Sequence, residues 1–132
     1  MTKEFIVTKY GHTKWGIQYL PSDFATSAKK YPLLVYFHGT GQTGTTKGSV
    51  DKLLFDSPFP FAATVGEQFI IIGLQHESWS PTPDQVAFVI NNDSTIKDRV
   101  SSVFLTGLSS GGQEVMKFVT TSKEYADMIT GV

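Results

Sequence analysis

Three apolar runs of strand length constrain the fold more than any other feature of this sequence. They are Tyr31–Phe37, Gln68–Leu74 and Val100–Thr106. A strand that is apolar at consecutive positions is buried on both faces, as in a parallel sheet. Between and after the later runs, Pro83–Asn92 begins with a helix-initiating Pro-Asp pair and Gly111–Thr121 has helix-like apolar spacing. Strands that alternate with helices predict parallel pairing, right-handed crossovers and a layered α/β architecture.

The start of the chain predicts a different pairing. Phe5–Tyr10 and Trp15–Leu20 are rich in aromatic and β-branched residues, and the short polar segment Gly11–Lys14 separates them. This pattern is typical of an antiparallel hairpin. We therefore predict one domain over residues 1–132: an open, mainly parallel sheet with helices on both faces and an N-terminal antiparallel hairpin.

Composition excludes several classes of function. The 132 residues are 40% hydrophobic, which is ample for a packed core. Eleven Lys and Arg stand against twelve Asp and Glu, so no field exists that would gather nucleic acid or an anionic membrane. The absence of cysteine excludes disulfides, thiolate catalysis and Cys-based metal sites. We expect neither a cofactor nor a metal.

The chain has no segment that predicts membrane insertion or targeting. Its longest apolar run, Phe69–Leu74, is far shorter than the roughly 20 residues that span a bilayer. The opening Met1–Thr8 lacks the basic and then apolar stretch of a signal peptide. The expectation is a protein that is either cytoplasmic or secreted with its signal removed.

Small and polar residues follow each of the three buried strands. Ligands of open α/β sheets bind beyond the carboxyl ends of the strands, which makes these segments the candidate site. In the last of them, Gly107-x-Ser109-x-Gly111 stands between a strand and a helix, the context of a nucleophile elbow. A serine hydroxyl needs a base and an electrostatic cradle to react. The backbone N–H of Ser110, at the helix start, is placed to face a developing oxyanion.

A second glycine-rich segment supports this interpretation. A Gly/Ser cluster between a strand and a helix is also what an ordinary connecting loop contains, so the spacing alone leaves both readings open. The segment His38–Gly44, however, is a flexible loop directly after an earlier buried strand, and it can supply another backbone N–H to the same oxyanion. Thr40 is the predicted donor. Two loops at matching strand ends favour Ser109 as a nucleophile.

At this point the sequence resembles a known family. Tyr31–Gly39, the segment around Trp79, and Asp98–Gly112 are similar to the α/β-hydrolase esterases related to poly(3-hydroxybutyrate) depolymerases and feruloyl or acetylxylan esterases. The resemblance runs from about residue 31 to about residue 119 and implies the N-terminal portion of an α/β-hydrolase domain. It implies that Ser109 attacks a small-molecule or polymeric ester to form an acyl-serine. Thr40 and Ser110 would then be the oxyanion donors.

The resemblance also shows what this sequence lacks. In that family the sheet continues through further strands, and the catalytic acid and histidine follow them. No position among these 132 residues matches either partner, so the chain as given is expected to be nearly inactive. The alternative is a non-catalytic fragment or half of an assembly, in which self-association or a partner chain completes an exposed sheet edge.

Other candidate residues are assigned smaller roles. His76 and Trp79 follow a buried strand and are predicted to contact substrate. His12 is expected to be a solvated loop residue, and the resemblance implies that His38 shapes the oxyanion loop without acting as the base. A nucleotide-binding alternative rests on Gly39–Thr46, which resembles a P-loop with threonine in place of the phosphate-binding lysine. The buried strands end without the acidic residue that such a site needs for magnesium.

Overall fold

Five strands form one sheet in the computed structural model, which describes residues 5–10, 14–62 and 68–132. The strands are β1 (Phe5–Tyr10), β2 (Lys14–Tyr19), β3 (Tyr31–Phe37), β4 (Ile70–Gln75) and β5 (Val100–Gly107). Their spatial order is β1-β2-β4-β3-β5. β2 is antiparallel to β1 and β4, whereas β3 is parallel to β4 and β5. The predicted hairpin and open α/β sheet are confirmed, in a mixed sheet; the hairpin loop residues 11–13, including His12, lie outside the described residues.

Three α-helices and three 3₁₀ helices lie between and after the strands in the part of the chain that the structure describes. The α-helices are α1 (Pro83–Asn92), α2 (Ser110–Thr121) and α3 (Lys123–Met128), and the 3₁₀ helices are η1 (Thr40–Gln42), η2 (Gly48–Leu54) and η3 (Phe59–Phe61). A capping box starts α1, because the side chains of Thr82 and Gln85 accept each other's backbone N–H. None of the helices in the described segments is long and apolar enough to cross a membrane.

Each face of the sheet packs against a different kind of helix. On one face α1 and α2 cover alternate strand positions, and the buried residues there include Leu33, Val35, Phe37, Ile70, Ile72, Val86, Val89, Val103, Leu105, Val115 and Phe118. On the other face η2 and η3 cover Ile17, Tyr19, Tyr36 and Ile71 with Val50, Leu53 and Phe59. Burial on both faces explains why β3 and β4 are apolar at nearly every position.

Arg99 joins the start of β5 to the polar connection that follows β2. Its guanidinium donates hydrogen bonds to the carbonyls of Lys29, Phe24 and Ser27 at 2.8–3.0 Å and lies 4.0 Å from the Phe24 ring centroid. Such contacts use the planar, multi-donor shape of arginine. Arg99 therefore organises the end of the sheet opposite the strand ends that were predicted to carry the site.

The last residues of the chain begin to pair with the outer edge of β5. The Thr130 N–H donates to the Val103 carbonyl at 2.7 Å, and the Leu105 N–H donates to the Gly131 carbonyl at 3.0 Å. The bridge is parallel. Alternation along the strand directs the Leu105 carbonyl and the Gly107 N–H to the same edge, beyond this bridge. The exposed side chains of Phe61 and Val132 lie beside this part of the sheet. Together with residues of β5 they line an apolar cavity.

Candidate active site

The turn between β5 and α2 holds Ser109 in an unusual backbone conformation. Its φ is 54° and its ψ is −116°. A positive φ is uncommon for a residue other than glycine and persists only where the surroundings enforce it. Here the Leu108 N–H donates to the Phe37 carbonyl at 3.1 Å, and the Gly112 N–H donates to the Ser109 carbonyl at 2.9 Å. The turn presents the Ser109 side chain to solvent beyond the end of the strand.

The two glycines around Ser109 permit this turn because no side chain fits at either position. A Cβ on Gly111 would lie 1.9 Å from the carbonyl oxygen of Phe37, and one on Gly107 would lie 2.5 Å from the Gly111 backbone. Real Cβ contacts are never this short. The spacing Gly-x-Ser-x-Gly therefore lets the first turn of α2 rest directly on the end of β3.

The loop after β3 lies against the same turn. The Thr40 hydroxyl donates to the Ser110 hydroxyl at 3.2 Å, and a Cβ on Gly39 would be 3.6 Å from the Cβ of Ser109. Thr40 begins η1 and Ser110 begins α2, and the first N–H groups of a helix have no acceptor within it. The structure thus brings Ser109, Thr40 and Ser110 together at the starts of two helices.

A cavity of about 370 Å³ opens beside Ser109. Its lining consists of Gly39, Thr40, Gly41, Gln42, Lys52, Phe55, Asp56, Leu108 and Ser109. The side chains of Phe55 and Leu108 are exposed and supply an apolar surface, and Lys52 and Asp56 add one charge of each sign. The sequence carries no signal for Lys52, Phe55 and Asp56 as site residues, because they lie in and just after η2, where no strand end marks them.

His38 is fully buried and uses both ring nitrogens. Its Nε2 accepts the backbone N–H of His76 at 2.8 Å, so the proton lies on Nδ1, 2.7 Å from the Gly39 carbonyl. Burial holds the pKa of His38 below its ordinary value of 6.5, and this effect outweighs the Gly39 hydrogen bond, which acts in the opposite direction. A neutral ring with both nitrogens bonded to backbone holds this loop in place and has no free lone pair for Ser109.

His76 and Trp79 lie near the site but outside its cavity. The Nδ1 of His76 accepts the backbone N–H groups of Ser78 and Trp79 at 3.1 and 3.3 Å. Trp79 is 41% exposed, and neither side chain lines the cavity at Ser109. His76 and Trp79 therefore lie at the end of the sheet where the sequence predicts the site. The His76 ring, however, bonds to backbone groups of its own loop.

The hydroxyl of Ser109 has no hydrogen-bond partner among residues 5–10, 14–62 and 68–132. Within those segments the site therefore consists of an exposed serine, two helix starts and a half-apolar cavity, and no described group accepts the Ser109 hydroxyl. Gln42 is the buried polar residue of this site that sequence analysis missed. A glutamine three positions after the residue that precedes a helix, here Gly39, is one half of a capping box, and this spacing was the available signal.

Comparison with known proteins identifies the fold. No family model matches the chain, and no curated protein matches its sequence. Among solved structures, a thermostable esterase matches 96% of this chain at 17% identity with a TM-score of 0.56, and the match covers 39% of that esterase. Brefeldin A esterase, a bacterial homologue of human hormone-sensitive lipase, matches 97% at 14% identity with a TM-score of 0.58, over 37% of its length.

Peptidases of the same fold are also similar. The acylaminoacyl peptidase of Pyrococcus horikoshii matches 98% of this chain at 11% identity with a TM-score of 0.51, and the match covers 22% of that peptidase. This chain thus spans about two fifths or less of the length of these three structures. Over the part of those proteins that it covers, the chain has the α/β-hydrolase fold.

Proposed function

We propose that Ser109 is the nucleophile of a serine hydrolase that cleaves carboxylic esters through an acyl-serine intermediate. One observation carries this proposal: a strained turn presents the Ser109 hydroxyl to solvent, directly beside the starts of two helices. This geometry supports the assignment of a nucleophile elbow at Ser109 next to an oxyanion hole. The names of the similar structures, esterases and an acylaminoacyl peptidase, are consistent with acyl transfer.

The chemistry follows from where charge develops. Attack of the Ser109 oxygen on an ester carbonyl converts the carbonyl oxygen into an oxyanion, which needs preoriented donors. The backbone N–H groups of Thr40 and Ser110 are those donors in the proposal, and the N-terminal end of the 12-residue α2 adds favourable partial charge. Loss of the alcohol leaves the acyl group on Ser109, and water then releases the acid. The apolar surface of Phe55 and Leu108 receives part of the ester.

No residue of this sequence is assigned as the base that takes the Ser109 proton or as the acid that supports that base. A serine without its histidine keeps only the part of catalysis that the oxyanion donors and binding supply. We therefore expect the isolated chain to turn over p-nitrophenyl acetate barely above background. If the wild-type chain shows clear turnover and Ser109→Ala does not, this expectation is wrong. The base would then come from another residue of this chain or from a second chain.

Acyl transfer to Ser109 provides the direct test. After prolonged incubation with p-nitrophenyl acetate at mildly alkaline pH, peptide mapping by mass spectrometry should find the acetyl group on Ser109. We expect occupancy about tenfold or more above that of Ser101, because an oxyanion hole accelerates acylation even without a base. Ser101 is a matched control, since it is an exposed serine at the opposite end of β5. Equal occupancy of the two serines would refute the proposal.

We also propose that the outer edge of β5 beyond its bridge to residues 130–131, at Leu105 and Gly107, is the surface through which the chain associates with itself or with a partner chain. Unpaired strand edges flanked by apolar side chains invite such pairing. Light scattering after size-exclusion chromatography should show a mass that rises with concentration. Thr106→Lys, which places a charge on the open face beside this edge, should shift the protein toward monomer, whereas Ser101→Lys should not. A concentration-independent monomer would count against the surface.

A further inference from the structure

Gln42 is a buried amide that connects three parts of the candidate site. Its Oε1 accepts the Tyr36 hydroxyl at 2.6 Å and the Gly39 backbone N–H at 3.0 Å. Its Nε2 donates to the carbonyls of Lys52 at 3.0 Å and Phe55 at 2.6 Å. One side chain thus bonds to β3, to the turn that starts η1, and to the segment that forms the far wall of the cavity.

These four hydrogen bonds leave the amide no freedom to turn. An amide oxygen accepts two bonds and its NH₂ donates two, so the capacity of Gln42 is filled. The backbone partners also fix which atom faces where, because the Gly39 N–H can only donate and the two carbonyls can only accept. A second amide holds the backbone of the same residue, since Gln75 Nε2 donates to the Gln42 carbonyl at 2.8 Å and to the Ser49 carbonyl at 2.9 Å.

We propose that Gln42 is a positioning residue, which holds the Gly39–Thr40 turn so that the Thr40 N–H points at the carbonyl oxygen of an ester bound at Ser109. This inference rests on the proposed function of Ser109. Gln42 acts through Gly39, whose N–H it binds and whose Cβ position lies 3.3 Å from the Leu108 carbonyl oxygen. The loop that the glycine content predicts to be flexible is thereby fixed against the turn that bears the nucleophile.

Two matched substitutions separate this role from general stability. Gln42→Met keeps the approximate length and removes all four hydrogen bonds. Gln18→Met is the control, because Gln18 is also a buried glutamine and lies on β2, in the antiparallel part of the sheet. Gln42→Glu is the second variant: one of its carboxyl oxygens keeps the two acceptor contacts, and the other replaces the NH₂ donor and faces the carbonyls of Lys52 and Phe55, so this variant disturbs that side of the site most.

The test uses two readouts besides thermal stability. One is the rate of acetyl transfer to Ser109, and the other is hydrogen exchange at the amides of residues 42 and 43, which donate to the Gly39 and Thr40 carbonyls and close η1. We expect Gln42→Met to slow acetylation about tenfold or more, since misplacing an oxyanion donor costs that much or more, and to speed the exchange. Gln18→Met should change neither, even where its loss of thermal stability is the same.

The outcomes distinguish this inference from the proposed function. If Gln42→Met and Gln42→Glu leave both acetylation and exchange as in the wild type, the positioning role of Gln42 is wrong. If Gln18→Met slows acetylation as much as Gln42→Met, the effect is one of stability and the inference is overturned. If wild-type Ser109 is not acetylated above Ser101, the proposed function fails, and unchanged amide exchange in Gln42→Met would then overturn the role of Gln42 separately.

Discussion

Gly111→Ala is expected to destabilise the protein by more than about 3 kcal/mol, or to prevent folding. The added methyl would lie 1.9 Å from the carbonyl oxygen of Phe37, and that oxygen belongs to the backbone of an interior strand, β3. A flexible side chain moves aside at little cost, whereas β3 is hydrogen-bonded on both sides. Relief of the clash therefore requires α2 to move away from the end of β3, with loss of packing beneath the turn at Ser109.

The adjacent glycine provides the control for this experiment. A Cβ on Gly112 would meet the Gly107 carbonyl oxygen at 3.9 Å, an ordinary contact distance. Because Gly112 lies within α2, alanine there should be neutral or stabilising by up to about 1 kcal/mol. Urea unfolding followed by circular dichroism compares the two variants with the wild type. Equal stability of Gly111→Ala and Gly112→Ala would show that the α2–β3 contact is looser than the structure indicates.

His38→Leu is expected to lower the free energy of unfolding by about 2–4 kcal/mol, because the single substitution leaves two buried backbone groups without partners. The His76 N–H loses its acceptor and the Gly39 carbonyl loses its donor. A leucine side chain fills similar space, so the loss comes mainly from these hydrogen bonds. The measurement is the free energy of unfolding in urea at pH 7.5, and a change below about 0.5 kcal/mol would contradict the assigned bonding.

The same residue predicts how stability depends on pH. Since burial lowers the pKa of His38 below 6.5, the unfolded chain binds a proton in a range where the folded protein does not. The stabilisation from a neutral His38 is therefore complete above the unfolded pKa and is lost as the pH falls toward the folded one. Wild-type protein should lose more stability between pH 7.5 and pH 5 than His38→Leu does. Parallel losses in the two proteins would assign the pH dependence to other groups.

Local signals predicted the elements of this fold better than their arrangement. The bounds of β3 and α1 agree with the apolar run Tyr31–Phe37 and with the Pro-initiated segment Pro83–Asn92, because burial pattern and helix start are both written locally. No local signal predicts the place of β4 between β2 and β3, because strand order depends on contacts between distant parts of the chain. Among the five described strands this order gives two antiparallel and two parallel pairings.

The candidate site divides in the same way. The rule that ligands bind beyond strand ends led to Ser109, Thr40 and Ser110, which the structure places together, while their roles stay a proposal. Phe55 and Asp56 could not be found by this rule, because they reach the cavity from the turn after η2. The spacing of Gln42 from Gly39 could have predicted its bond to the Gly39 N–H. Only its buried contacts, however, distinguish it from an ordinary loop residue.

The strand order has a consequence for the synthesis of this protein. β3 precedes both of its neighbours, β4 and β5, in the sequence, so it leaves the ribosome with two unpaired edges and an apolar surface on each face. Thr40, just after β3, meets Ser110 only when 70 more residues have been added. A nascent chain arrested before β5 would leave one edge of β3 unpaired, and unpaired edges with apolar side chains favour aggregation. The loop at Thr40 is therefore the first part of the site to be translated, and its contact with Ser110 forms only after β5 and the start of α2 have been made.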